Sequence, residues 1–111
     1  MLLTFALLCA CSSPSPAQQT EQRERDLMGQ LKTKYPDVVM GFDFHGTAVD
    51  VSIDPNGMIA LGEDDEAAMK AAALQRWKTT WIQTHPGAHA TVTVHLIDFR
   101  GKPYYSASTK T

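Results

Sequence analysis

Apolar side chains recur along most of the chain at spacings typical of helices or of strands. A repeat of about four residues predicts a first helix over residues 20–35, ended by Pro36, and a second helix from residue 62 to near residue 84. The apolar stripe of the second helix consists of Met69, Ala73, Trp77 and Trp81. Stripes of this kind usually face a core, so we expect both tryptophans to pack inside the domain.

Other segments alternate between apolar and polar side chains with the period of a β-strand. The predicted strands cover residues 38–44, 48–53, 58–61, 90–99 and 104–108. In the first of them, the side chains expected to share one face are Val38, Met40, Phe42 and Phe44. The resulting order α-β-β-β-α-β-β predicts an α+β fold, a two-layer sandwich in which two helices cover one face of a mostly antiparallel sheet.

The short third strand depends on the segment Asp54-Pro55-Asn56-Gly57. Proline presets one backbone dihedral of a turn, and Asn-Gly accepts positive φ. We therefore expect a tight turn with Gly57 at positive φ, from which residues 58–61 return as a strand.

The sheet face that the helices leave open is predicted to be polar. The residues expected there are Asp50, Ser52, Thr91, Thr93, His95 and Tyr105. This surface is the candidate site for a protein partner, and the last strand, if it is a sheet edge, offers unpaired backbone groups to a partner strand.

Before the domain, an apolar run of nine residues, Leu2 to Ala10, ends at the only two cysteines of the chain. The run is too short to span a bilayer and has the length of the apolar core of a secretory signal peptide. A Cys-Ala-Cys disulfide would be strongly strained, and no histidine lies nearby in sequence to complete a metal site.

The tetrapeptide Leu8-Cys9-Ala10-Cys11 resembles the lipobox of bacterial lipoproteins, in which aliphatic and small residues precede an obligatory cysteine. The resemblance implies that residues 1–10 are removed as a signal peptide and that Cys11 carries a thioether-linked diacylglycerol. Ser12, in place of the Asp that retains such proteins in the inner membrane, implies the periplasmic side of the outer membrane. Ordinary cleavage after Ala17 is the alternative.

The composition then separates a tether from a folding unit. Residues 11–19 are uncharged and rich in Ser and Pro, which predicts an extended tether, and residues 20–111 form one small domain. Ten basic residues against twelve acidic ones give no electrostatic footprint for nucleic acid. The expected partners are the membrane, through the lipid, and an envelope protein.

Candidate chemistry is sparse. The sequence has no Gly-rich phosphate loop and no nucleophile elbow, so no cofactor is expected, and we expect a protein that is not an enzyme. The alternative is a small metal-dependent or acid/base hydrolase that uses His89, His95 and Asp50. A further alternative is a small-ligand carrier with a pocket near Trp77 and Trp81.

Residues 49–98 also resemble the periplasmic region of the ExbD/TolR family. There a strand, an Asn-Gly or Asp-Gly turn, a short strand and a long helix lead into a Val-rich strand, as in residues 49–57 and 91–94. The resemblance implies shared architecture rather than shared function. Taken together, the sequence predicts a non-catalytic, lipid-anchored envelope protein whose small domain binds a protein partner or supports an envelope assembly.

Overall fold

The computed structural model of the protein describes residues 14–111. They form a four-stranded mixed sheet with helices packed on one face. In chain order the elements are α1 (Pro16–Lys34), β1 (Val39–His45), β2 (Ala48–Ile53), α2 (Pro55–Leu61), α3 (Glu63–Thr84), β3 (Thr91–Ile97) and β4 (Pro103–Lys110). The predicted α+β class is confirmed, whereas the predicted third strand is wrong because α2 takes its place.

The strands follow one another across the sheet in the order β1-β2-β3-β4. The outer pairs β1–β2 and β3–β4 are antiparallel, and the central pair β2–β3 is parallel. A parallel pair needs a crossover connection, which α2 and α3 provide. The two hairpins are therefore joined side by side through the middle of the sheet.

Helix α1 begins earlier than its apolar pattern predicts. Ser15 is the N-cap residue: its hydroxyl accepts the N–H of Gln18 at 3.2 Å, and its own N–H donates to the Gln18 side chain at 2.8 Å. Pro16 occupies the first turn, where its missing N–H costs nothing. Residues 16–19, expected as part of an extended tether, thus belong to the helix.

Helix α2 replaces the predicted turn and strand. The Asp54 side chain accepts the N–H of Asn56 at 3.0 Å, and Pro55 starts the helix. Gly57 is helical, so the predicted positive φ at this glycine is wrong. A Cβ atom at position 57 would collide with the carbonyl oxygen of Asp37, so the glycine permits close approach of α2 to the segment before β1.

The core lies between the sheet and the helices α1 and α3. The hydrophobic side chains with no exposed surface are Met28, Val49, Val51, Ile53, Met58, Met69, Ala73, Trp77, Val92, Val94 and Leu96. The alternating burial predicted for β2 and β3 is confirmed. In β1 an irregularity between Val39 and Gly41 interrupts the alternation, so Met40 is 53% exposed instead of sharing a buried face with Val38.

Candidate functional site

A row of four polar side chains crosses the sheet, one from each strand. Asp43 of β1 lies opposite Asp50 of β2, Asp50 lies beside His95 of β3, and His95 lies opposite Ser106 of β4. Neighbours in register point to the same face of a sheet. Because the alternate residues of β2 and β3 form the core, this row lies on the other face, which we call the open face.

Hydrogen bonds hold the open-face side chains in place. His95 Nδ1 lies 2.6 Å from the Ser106 hydroxyl, and His45 Nε2 lies 3.2 Å from a carboxylate oxygen of Asp50. These contacts pair polar groups of the surface with one another, and they restrict the rotamers that a partner would otherwise have to order.

A second row adds hydroxyl groups beside the first. Thr93 lies opposite Ser108, and their hydroxyl oxygens are 2.8 Å apart. Ala48, the neighbour of Thr93 on β2, leaves this part of the face shallow. The result is a flat, hydroxyl-rich surface with both hydrogen-bond donors and acceptors.

The structure brings together most of the predicted site residues. By strand alternation, the residues that lie on the open face as predicted are Asp50, Ser52, Thr91, Thr93 and His95. Tyr105 does not belong to this set: it lies opposite Leu96, which is fully buried, and it packs against the core on the helix side. A charge at Tyr105 would therefore perturb packing rather than probe the open face.

Four contributors to the open face were missed by reading single segments of the sequence: Asp43, His45, Ser106 and Ser108. The alternation of small polar residues within Ser106-Ala107-Ser108-Thr109 was a usable signal for the last two. For the first two, only the register of the β1–β2 hairpin reveals the neighbours.

The proposed metal or acid/base set is not assembled. Asp50 and His95 are neighbours across β2 and β3, but His89 lies in the segment before β3. Within residues 14–111 no group of three or more His, Cys, Asp or Glu side chains is arranged to hold a metal ion. The Asp50 carboxylate is engaged with His45 and His95 with Ser106, so the arrangement contains no Asp–His–Ser relay.

Both tryptophans are core residues rather than the lining of a pocket. Trp77 is fully buried and its indole N–H donates to the Thr47 carbonyl at 2.9 Å. Trp81 is 5% exposed and stacks on the His85 ring at 4.4 Å between centroids. The shallow groove between α1 and α3 is lined by other residues, among them Gln30, Lys34, Gln75 and Arg76.

A buried carboxyl group lies on the helix side near His85. Glu24 of α1 is 5% exposed, and one of its carboxylate oxygens has no hydrogen-bond partner among the described residues. Burial raises the pKa of Glu24, and the nearby His85 partly offsets that effect. The group is a cost to stability rather than part of the open face.

The outer edge of β1 is closed by side chains of α1. Arg25 donates to the Phe42 carbonyl at 3.1 Å, and Lys32 donates to the Met40 carbonyl at 3.4 Å. The Arg25 guanidinium also lies 5.1 Å from the centre of the Phe44 ring. Cations placed along an edge strand hinder the addition of another strand.

The outer edge of β4 has no such cover. The N–H of Thr93 donates to the Thr47 carbonyl, on the β2 side, and backbone groups alternate in direction along a strand. The β4 residues whose backbone groups face β3 are therefore Tyr105, Ala107 and Thr109. Those of Ser106 and Ser108 point away from the sheet, and no group of residues 14–111 outside the strand ladders bonds to them.

Comparisons with protein-family models, with curated proteins and with solved structures found no match to the chain. None of the helices within residues 14–111 is long and apolar enough to cross a membrane. The tetrapeptide that resembles a lipobox, with the candidate lipid site Cys11, lies outside the described residues. The geometry of the open face and of the two sheet edges is therefore the basis for a function.

Proposed function

We propose that the protein is a non-catalytic lipoprotein of the bacterial cell envelope, anchored by a lipid on Cys11, whose domain binds a protein partner through the open face. The observation that carries the proposal is the hydrogen-bonded polar surface that spans all four strands. It offers a wide, ordered contact area without an enclosed catalytic cleft. Surfaces of this kind suit the recognition of another protein rather than of a small molecule.

The candidate lipid site lies close in sequence to the folded domain. Helix α1 starts at Pro16, five residues after Cys11. A fully extended chain rises by at most ~3.6 Å per residue, so the start of α1 would stay within ~18 Å of the lipid headgroups. A domain tethered this closely would meet partners at the membrane surface or in the space next to it.

Location in the outer membrane, facing the periplasm, belongs to the same proposal. Its support is the sequence alone: Ser12 follows the candidate lipid site, where an Asp would favour the inner membrane. Separation of the two membranes by density and detection of the protein in each tests this part. Recovery only with inner-membrane markers would contradict it.

Metabolic labelling with a fatty acid tests the anchor. We expect label in the wild-type protein and none in Cys11→Ala, which should also be released from membranes or remain unprocessed, since two or more acyl chains are needed for firm attachment. Cys9→Ala is the matched control, because Cys9 would be removed with the signal peptide. Label that persists in Cys11→Ala excludes the lipid site.

Recovery of cross-linked proteins from detergent-solubilised membranes tests the open face. Thr93→Lys places a charge in the centre of that face, where it should abolish recovery of a partner and leave the thermal melt nearly unchanged. Arg76→Ala on the helix side is the control and should recover the partner as the wild type does. Partner recovery that survives Thr93→Lys and a charge at Ser52 would contradict the proposal.

A further inference from the structure

We propose that β4 pairs with β4 of a second copy of this chain, antiparallel and about a two-fold axis at Ala107, so that the two four-stranded sheets become one continuous sheet. This inference is independent of the proposed partner. It begins from the contrast between the two edges, because one is closed by Arg25 and Lys32 while the other is open along its length. An open, nearly uncharged edge is a template for another strand.

The backbone geometry suits this pairing. Around an axis at Ala107, Ser106 of one copy lies opposite Ser108 of the other, and both residues direct N–H and C=O groups outward. They can therefore form the hydrogen-bonded pairs of an antiparallel ladder. The two Ala107 residues form the intervening pair without hydrogen bonds, where Cα atoms approach to ~4.5 Å and a small side chain fits best.

The regular part of β4 favours this register over its nearest neighbour. The pairing of β4 with β3 is regular from Tyr105 to Lys110 and shifts at Tyr104, whose side chain reaches Glu66 of α3 on the helix side. An axis at Ser106 would place Ser108 opposite Tyr104 and Thr109 opposite Pro103, so part of the ladder would fall on this irregular segment. An irregularity of this kind disrupts the ladder locally, so the axis at Ala107, which pairs residues 105–109 of the two copies with one another, retains more of the inter-strand hydrogen bonds.

A shift of the axis the other way is also unfavourable. With the axis at Ser108, Lys110 would lie opposite Ser106, and the first part of β4 would have no partner. Registers with the axis between two residues would place residues of opposite faces side by side and are excluded by the side-chain alternation.

On the helix side of β4, partly exposed side chains form a surface that the second copy would bury. Tyr105 and Ala107 pack against the core but remain partly exposed at this edge of the sheet. In the paired arrangement Tyr105 lies beside Thr109 of the other copy, and the two Ala107 residues face each other. The second copy would thus cover the rim of the core that β4 leaves accessible, which adds apolar burial to the backbone hydrogen bonds.

The paired sheet would also widen the open face. A two-fold axis perpendicular to the sheet leaves both helical layers on one side and both polar faces on the other. The proposal and the partner-binding surface can fail separately, because Thr93→Lys alters the open face without changing the outward backbone groups of β4.

Disulfide trapping tests the register. In the full-length chain carrying Cys9→Ser and Cys11→Ser, purified in mild detergent, we expect Ala107→Cys to form a disulfide-linked dimer on mild oxidation, because Cα atoms ~4.5 Å apart suit a disulfide. Met40→Cys, exposed on the closed edge, is the matched control and should remain monomeric. No dimer from Ala107→Cys, or equal dimer from Met40→Cys, would overturn the proposal.

Sedimentation of the full-length protein tests the pairing without a cross-link. Ser108→Pro removes an outward N–H while the ladder to β3 stays intact, and proline is tolerated in that position of an edge strand. We expect a wild-type dimer whose dissociation constant rises at least ~10-fold in Ser108→Pro, since two backbone hydrogen bonds are lost by symmetry. If Ser108→Pro changes the circular dichroism, Ser106→Lys gives the same comparison through charge. A wild-type protein that sediments as a monomer at all concentrations up to ~100 μM, corresponding to binding weaker than about −5 kcal/mol, contradicts the inference.

Discussion

The outer edges of β1 and β4 differ in whether other groups of the domain cover them. At β1, α1 provides two cations that bond to outward carbonyl oxygens, and α2 packs so closely on the preceding segment that position 57 must be glycine. At β4, the outward backbone groups of Ser106 and Ser108 are unbonded within the described residues, while Glu66 accepts a hydrogen bond from Tyr104 and Lys70 lies 4.8 Å from the centre of the Tyr105 ring. The sheet is therefore covered at the β1 edge and not at the β4 edge, so we expect an interaction that uses the backbone at β4.

Replacement of Gly57 should break the closed side most severely. Gly57→Val would drive its side chain into the Asp37 carbonyl, and overpacking of this kind costs about 1–3 kcal/mol. The free energy of unfolding, measured by denaturant titration, should fall by that amount. Gly29→Ala is the control, because nothing lies near a Cβ at that helical position and alanine should stabilise α1 slightly. Equal stability of Gly57→Val and wild type would mean that α2 is not held against Asp37.

Loss of the Arg25 side chain should weaken the closed edge. Arg25→Ala removes the hydrogen bond to Phe42 and the contact with the Phe44 ring, both partly exposed to solvent. We expect a loss of about 1 kcal/mol in the free energy of unfolding. Hydrogen exchange at the β1 amides should quicken at the same time. Arg23→Ala, two residues earlier, should change neither quantity, and a similar loss in both variants would contradict the assigned role.

The buried Glu24 carboxyl of α1 should make the stability of the domain sensitive to pH. Burial raises the pKa of Glu24 above its ordinary value of 4.5, so the folded protein binds the proton more tightly than the unfolded chain. Its contribution to stability is present below pH 4.5 and is lost as pH rises through the raised pKa. Glu24→Gln should therefore melt at a higher temperature than wild type at pH 7, with the difference shrinking toward pH 4. A difference that grows on acidification would reverse the assignment.

The smallest effect is expected at the β4 edge. Tyr104→Phe removes the hydrogen bond that is the main cause of the lowered pKa of Glu66. Stabilisation by this carboxylate is present above its unfolded pKa and is lost as pH falls through the lowered one. We expect the Glu66 titration, followed by NMR, to move up toward the ordinary range, with almost no change in the melt. An unchanged titration would show that the hydroxyl does not bond to Glu66.

The fold class and much of the open face could be predicted from the sequence, because both rest on alternation within single strands. In β2 the buried face is indicated by the apolar residues Val49, Val51 and Ile53, so the other face carries Asp50 and Ser52. The two long helices follow from apolar stripes, although the start of α1 depends on a capping box at Ser15 that the stripe does not reach. An element or a face could be predicted wherever the periodicity of a single segment determines it.

The predictions that are wrong concern segments whose local sequence is compatible with more than one structure. Asp54-Pro55 is both a turn signature and a helix start, and only the packing of Met58 in the core decides for the helix. The irregularity at Met40 depends on the pairing of β1 with β2. The side of the sheet to which Tyr105 points is set by its register with β3, which no single segment specifies. Contacts between distant segments determine these features.

The parallel pairing of β2 with β3 also sets the order in which the sheet can assemble. Each hairpin joins segments that are close in sequence, whereas Ala48 meets Thr93 only after the whole of α2 and α3 has been placed between them. Closing a long loop costs entropy before any contact repays it, and such non-local contacts slow folding. We therefore expect the two hairpins to form early and the centre of the sheet to form last, so that during folding the chain would expose the inner edges of β2 and β3 until the crossover helices dock.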